Sequence, residues 1–280
     1  MASGKSKAEA SEKSYTAVFS DALLKEAKEN EKIVAITAAM PDGTGLSAFE
    51  KAYPKRFFDV GIAEAHAVTS AAGLASVGLR PVFAVYSSFL QRGYDQLVHD
   101  VCLQKLPVVF AIDRAGLVGA DGETHQGIFD ISYLRSIPNM TVMAPKNGRE
   151  LTDMLHFAFQ FSGPVAIRYP RGTAYQGFSD KEAQVELGCA ETLIEGKGQT
   201  KIALLALGSM VSTAAHIVEK MEKKGVSLSL VNARFAKPID EKLLDRLSEE
   251  GYRKILTLEE GVLSGGFGEA VLRYMALHHQ

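Results

Sequence analysis

Four stretches of this chain, IVAIT (33–37), RPVFAVY (80–86), PVVFAID (from Pro107) and PVAIRYP (164–170), are apolar almost residue for residue. A strand with one wet face alternates between apolar and polar side chains. A strand apolar on both faces must be covered on both, as in a mostly parallel sheet sandwiched between helices. The intervening segments supply those helices. Ser14 precedes Tyr15, Val18, Phe19, Ala22 and Leu23, which share one face of a helix that the serine can cap. Further helices are predicted near 63–77, 89–103, 129–136 and 147–161, with FFDV and TVMAP as short strands. After a polar, aperiodic break at 171–184 the rhythm resumes: IALLALG (202–208), a helix over 211–223, VSLSLVN (226–232), a helix over 239–249, KILTLEE (254–260) and one last helix. The expected fold is α/β: two mostly parallel-sheet domains, 14–170 and 185–280, behind a polar tail of residues 1–13 and joined by a linker at 171–184.

The gross composition excludes more than it assigns. A formal net charge of −2 on 280 residues gives no case for a nucleic-acid or anionic-membrane partner. Cys102 and Cys189 stand in different segments without metal-ligand spacing, so neither a disulfide framework nor a zinc site is expected. The start, MASGKSKAEASEKS, is polar and has no signal-peptide pattern, which points to a cytoplasmic protein. Val60–Leu79 is long enough to span a membrane, but its Glu, His, Gly and Ser content makes a buried helix the better reading.

Ligands of open parallel sheets sit beyond the carboxyl ends of the strands, and the polar clusters of this chain fall there. Glu64 follows FFDV at the mouth of a nearly charge-free helix. Two readings stay open on pattern alone: a carboxylate stabilised by the helix N-terminus, or a desolvated acid that shares a proton with a ligand. The loop LVGADGETHQG gathers Asp121, Glu123, His125 and three glycines in a stretch too long for a simple connection. His125 there suits proton donation or a hydrogen bond to a developing oxyanion. Arg114, Arg168 and Arg171 at the same edge suit an anionic substrate. SGGFGEA (264–270) and GSMV (208–211) read as tight strand-to-helix connections in preference to phosphate cradles.

RFFDVGIAEAHAVTSAAGLA, VYSSFLQRGYDQLVHDVCLQKLPVVFAIDRAGLVGADGETHQGIFDISYLRSIPNM and VAIRYPRG closely resemble the 1-deoxy-D-xylulose-5-phosphate synthases, a family of transketolase-like, thiamine-diphosphate-dependent enzymes. The resemblance runs from about Ser14 to the C-terminus. It implies a pyrimidine-binding domain at 14–170 and most of a transketolase C-terminal domain at 185–280. The family's diphosphate and Mg²⁺ motif, Gly-Asp-Gly with a distant Asn, does not occur in the 280 residues. The resemblance therefore implies that this domain, with the Mg²⁺ ligands, is supplied by a companion domain or subunit. It also implies that the last strand and helix of the C-terminal domain lie outside the chain.

By the same resemblance, Glu64 is the glutamate that bonds the cofactor's pyrimidine nitrogen and promotes its imino tautomer. Phe89 is the aromatic that stacks on that ring. Tyr86, Arg92, Asp121 and His125 line the substrate pocket, with His125 counted among the catalytic groups, and Arg114 and Arg171 hold a phosphate. The implied reaction condenses pyruvate with glyceraldehyde 3-phosphate to 1-deoxy-D-xylulose 5-phosphate and CO₂, in a homodimer or heterotetramer. Ala65 departs from the family's usual Gln. The other readings are half of a split transketolase, a 2-oxoacid dehydrogenase β-type subunit, or a non-catalytic scaffold.

Overall fold

The computed structural model describes residues 12–179, 184–198 and 200–279. Residues 1–11 of the expected tail and 180–183 of the expected linker lie outside the described residues. The first unit opens with α1 (Tyr15–Glu29), whose cap is Ser14: its side chain accepts from the Ala17 amide at 3.2 Å. One face of α1, Tyr15, Phe19, Ala22, Leu23 and Ala27, is buried. There follow β1 (Ile33–Thr37), α2 (Ser47–Ala52), β2 (Phe57–Asp59), α3 (Glu64–Ser76) and β3 (Arg80–Tyr86). Where one helix is expected over 89–103, the chain makes a broken succession instead. It comprises α4 (Ser87–Leu90), a 3₁₀ turn, α5 (Tyr94–Gln96) and a π-helical stretch over Leu97–Cys102. Then come β4 (Val109–Asp113), α6 (Asp130–Ser136), β5 (Thr141–Met143), α7 (Gly148–Gln160) and β6 (Val165–Arg168).

Strands β1 to β6 are parallel wherever they pair, in the order β5-β6-β4-β3-β1-β2. The apolar runs that read as doubly covered strands are so: every residue of β1 and β4, and all of β3 after Arg80, is buried. One side chain set packs with α1 and α7, the other with α3 and the 97–102 turns. α3 departs from a wholly buried helix. Its face Glu64, Ala67, Val68, Ala71, Ala72 and Ala75 is buried, while His66, Thr69, Gly73 and Ser76 are exposed. The segment lacks charges because its wet face is built from small polar residues.

The second unit holds β7 (Glu191–Ile194), β8 (Ile202–Ala206), α8 (Met210–Glu222), β9 (Ser229–Asn232), β10 (Phe235–Lys237), α9 (Glu241–Glu249), β11 (Lys254–Leu258) and α10 (Phe267–His278). Its four-stranded sheet runs β11-β8-β9-β7, parallel except for β7. β10 leaves this sheet and pairs antiparallel with β5, becoming the seventh strand of the first sheet. The two units are therefore stitched together. A buried charge cluster completes the join. Glu150 of α7 accepts from Arg234 Nε at 2.8 Å, Lys146 Nζ at 3.1 Å and Asn232 Nδ2 at 2.9 Å. Lys146 and Arg234 also reach Glu191 of β7, at 2.8 and 3.2 Å. Two cations and two anions balance out of water, each with several hydrogen bonds, which is the condition for burying charge. No described helix is long and apolar enough to cross a membrane.

Candidate active site

The site is built on the carboxyl ends of β3, β4 and β6 and on the first turn of α3. Glu64 opens α3 without a side-chain cap before it and is 3% exposed. Its Oε1 accepts from Arg92 Nη1 at 2.8 Å, and Arg92 itself is largely exposed. Arg92 comes from the 3₁₀ turn after α4, and its guanidinium lies 5.0 Å from the centre of the Phe89 ring. Phe89 stacks on Tyr86 with centroids 5.7 Å apart and meets His125 edge-on at 5.3 Å. Over the Tyr86 ring lies the Arg114 guanidinium, 4.0 Å from the ring centre. Arg114 and Arg171 each donate to Asp121, one to each carboxylate oxygen.

Eight of the residues singled out in the sequence thus belong to one train of contacts: Glu64, Arg92, Phe89, Tyr86, Arg114, Asp121 and Arg171, with His125 against Phe89. Arg168 does not join them. It is buried, donates to Asp130 at 2.8 Å and to the Glu260 carbonyl at 3.0 Å, and ties β6 to α6 and to the end of β11. The reading of Arg168 as part of an anion site is corrected: its buried guanidinium is taken by the Asp130 carboxylate and the Glu260 carbonyl. Nor does SGGFGEA offer a free helix end. The Glu259 carboxylate accepts from the Phe267 and Gly268 amides, both at 2.8 Å, so the first turn of α10 is already satisfied.

The loop carrying Asp121 and His125 is closed at its neck. Gly116 and Gly127 exchange backbone hydrogen bonds of 2.7 and 2.9 Å. Inside the neck the Gln126 amide accepts from the Val118 N–H at 2.7 Å and donates to the Val118 and Gly122 carbonyls at 3.0 and 2.7 Å. Gln126 therefore does the work of a strand pair within a loop.

Three further residues, Asp113, Thr16 and Gly43, shape the site without an individual signal in the sequence. Asp113, at the end of β4, is buried; it accepts from Thr16 Oγ1 and from the Arg114 amide, both at 2.7 Å. Burial pushes its carboxyl up to about 6 against the pull of Thr16, Arg114 and Arg171. Arg114 beside it is left-handed at φ 58°, which aims its side chain back over Tyr86. Gly43 is the third: a Cβ there would sit 2.1 Å from the Tyr86 hydroxyl, so only glycine leaves room for the phenol. Burial also raises the Tyr86 phenol, opposed by Arg114. Chemically the site offers a buried carboxylate at one end, an aromatic wall in the middle and two arginines on one aspartate at the other. No group of three His, Cys, Asp or Glu side chains placed to hold a metal occurs among the described residues.

Residues 11–176 match the family Transketolase, pyrimidine binding domain. The chain belongs to the transketolase family. Residues 190–280 of this transketolase-family chain match Transketolase, C-terminal domain. It is 55% identical over 268 residues to the 1-deoxy-D-xylulose-5-phosphate synthase of Lachnoclostridium phytofermentans, covering 96% of this chain and 42% of that protein. It is 55% identical over 262 residues to the synthase of Clostridium botulinum, covering 94% and 42%. The chain thus spans less than half the length of these curated relatives. Among solved structures, a split gene transketolase described as an inactive β4 tetramer superposes with a TM-score of 0.84 at 32% identity, over 95% of this chain and 86% of that one.

Proposed function

We propose that this chain is the pyrimidine-side and substrate-side portion of a thiamine-diphosphate-dependent 1-deoxy-D-xylulose-5-phosphate synthase. In this reading it joins pyruvate to glyceraldehyde 3-phosphate with loss of CO₂ and feeds isoprenoid and thiamine biosynthesis. The observation that carries it is the single train of contacts from buried Glu64 to the Arg114–Asp121–Arg171 group. The residues present fit the cofactor's pyrimidine end. Beyond Arg92, no hydrogen bond reaches the Glu64 carboxylate among the described residues, so its second oxygen is free to accept from a ring N–H. Glu64 would hold the aminopyrimidine nitrogen and Phe89 the ring face. Bound thiamine diphosphate supplies the electron sink that lets a 2-oxoacid lose CO₂.

The chain's own residues do the rest. Glu64 holds a proton at the pyrimidine nitrogen and thereby selects the ring tautomer. His125, edge-on to Phe89, presents an imidazole N–H to an oxygen that gains charge. Arg114 and Arg171 offer two guanidinium forks to a phosphate, once Asp121 yields them. The diphosphate and Mg²⁺ end belongs to a companion domain or subunit, in a homodimer or heterotetramer of a cytoplasmic enzyme. The exposed small-residue face of α3 suits the close helix contact of such an interface.

The test mixes the purified chain with a polypeptide carrying the diphosphate-binding domain, cofactor and Mg²⁺. CO₂ release from pyruvate that depends on glyceraldehyde 3-phosphate is expected from the mixture and not from the chain alone. Pyruvate consumption by the chain alone would overturn the need for a companion. The likeness to a split gene transketolase favours a second reading, a half-enzyme acting on another donor. Turnover of a ketose or a branched 2-oxoacid, without glyceraldehyde 3-phosphate dependence on pyruvate, would select it.

A further inference from the structure

The neck of the 114–127 loop is gripped from two sides, and one side belongs to the second unit. Gly127 is pressed by the Arg114 carbonyl and the Ser87 side chain: a Cβ on it would lie 2.4 Å and 2.8 Å from them. Gly116, at φ +84°, is covered by Glu260: a Cβ there would lie 2.8 Å from Glu260 Oε2 and 3.0 Å from its Cβ. The Glu260 side chain thus lies flat along the neck strand. Its Oε2 is fixed by the Ser209 hydroxyl at the start of α8, and its carbonyl by Arg168 Nη2 at 3.0 Å. Two residues on, the Val262 amide donates to the Ile128 carbonyl at 3.0 Å, just past the neck. The segment Glu260–Val262, at the end of β11, therefore makes a built seat under the point where the loop leaves the body of the protein.

We infer that Glu260 is a positioning residue: clamped by Ser209 onto Gly116, it sets the neck of the 114–127 loop and so the placement of Asp121 and His125. Its relevance to catalysis rests on the proposed synthase reading, but its structural action does not. The second unit then acts on the substrate pocket through one side chain, although none of its own side chains is among the eight. A carboxylate lying on glycine has no rotamer freedom to spare, because Ser209 holds its far end and Arg168 its backbone. Shortening it to a methyl leaves the neck strand without a wall on that side.

The test is amide hydrogen exchange on the purified full chain, wild type against Glu260→Ala, Glu260→Gln and Ser209→Ala. In Glu260→Ala the bonded amides of Gly116, Val118 and Gly127 are expected to exchange about tenfold faster, with β3 and β4 amides unchanged. Glu260→Gln, which keeps the shape and an oxygen for Ser209, restores most of the protection. Ser209→Ala falls between them. Unchanged exchange of these three amides in Glu260→Ala would overturn the inference. So would equal acceleration in β3 and β4, which would make Glu260 a general stabiliser. The readout needs no substrate, so failure of the synthase reading would show separately, as absence of glyceraldehyde 3-phosphate-dependent turnover in a reconstituted complex whose loop is still ordered.

Discussion

Glu64 and Asp113 are both buried carboxylates, and they differ in what holds them. Glu64 faces a guanidinium that reaches in from solvent, whereas Asp113 has a hydroxyl, its neighbour's amide and little water. For Asp113 the folded carboxyl is pushed up to about 6 from an ordinary value of 3.8. Its protonated form is the one that folding prefers. The contribution is full below the unfolded value and is lost as pH rises through the folded one. Urea titrations of wild type and Asp113→Asn should therefore show wild type losing about 2 kcal/mol relative to the variant between pH 4 and pH 7. A difference independent of pH would mean that Asp113 does not titrate in that window. Phe89 makes a second prediction at this scale. Phe89→Ala removes the aromatic wall, and stacking of about 1 kcal/mol is worth roughly a fivefold rise in the cofactor's apparent Kd, measured by titration of the reconstituted complex. Residue types at the strand ends made these positions legible: Glu64, Phe89, His125 and the arginines stood out because their neighbours are apolar or glycine. Arg168 stood out equally and was misleading, since the Asp130 carboxylate and the Glu260 carbonyl take its guanidinium. Thr16 and Gly43 carried no signal, because a threonine on an amphipathic helix and a glycine in a loop are ordinary until β3 and β4 arrive beside them.

Among the elements, the strands were the most readable. Continuous apolar runs have one satisfactory environment, and β1, β3, β4, β6 and β8 occupy it. β10 was not readable. Phe235–Lys237 is three residues long, and its partner β5 lies about ninety positions earlier, so nothing local distinguishes it from a turn. The broken helix over 87–102 was hidden for the opposite reason: its apolar spacing is helical on average while its turns alternate between tight and wide. The 114–127 loop was visible as a long polar interruption, but its internal bracing by Gln126 was not. Gln126→Ala removes three hydrogen bonds at the neck. Native-state proteolysis between 117 and 126 should rise roughly tenfold, while the urea midpoint of the whole chain moves little. Unaltered cleavage would show that the Gly116–Gly127 pair alone closes the loop.

At the scale of the whole molecule, a strand exchange and a buried charge cluster make two sheets into one body. The cluster could not be read in advance, because Lys146, Glu150, Glu191 and Arg234 are each unremarkable where they stand and lie as many as 88 positions apart. Glu150→Ala leaves Lys146 and Arg234 buried with half their partners, and an expected loss of about 3–5 kcal/mol follows in urea unfolding. A loss under 1 kcal/mol would mean that water replaces the carboxylate there. The end of β11 also lies against the neck of the 114–127 loop, through Glu260 on Gly116 and the Val262 amide on the Ile128 carbonyl. The family match, the two sheets and the eight-residue train of contacts support the proposed half-site, in which Glu64 would take the cofactor end. The most direct measurement is pyruvate- and glyceraldehyde 3-phosphate-dependent formation of 1-deoxy-D-xylulose 5-phosphate by the reconstituted complex, wild type beside Glu64→Gln. Product from the wild-type mixture and a loss of about 100-fold or more in the variant, with assembly intact, is the predicted result. Undiminished product with Glu64→Gln would contradict it.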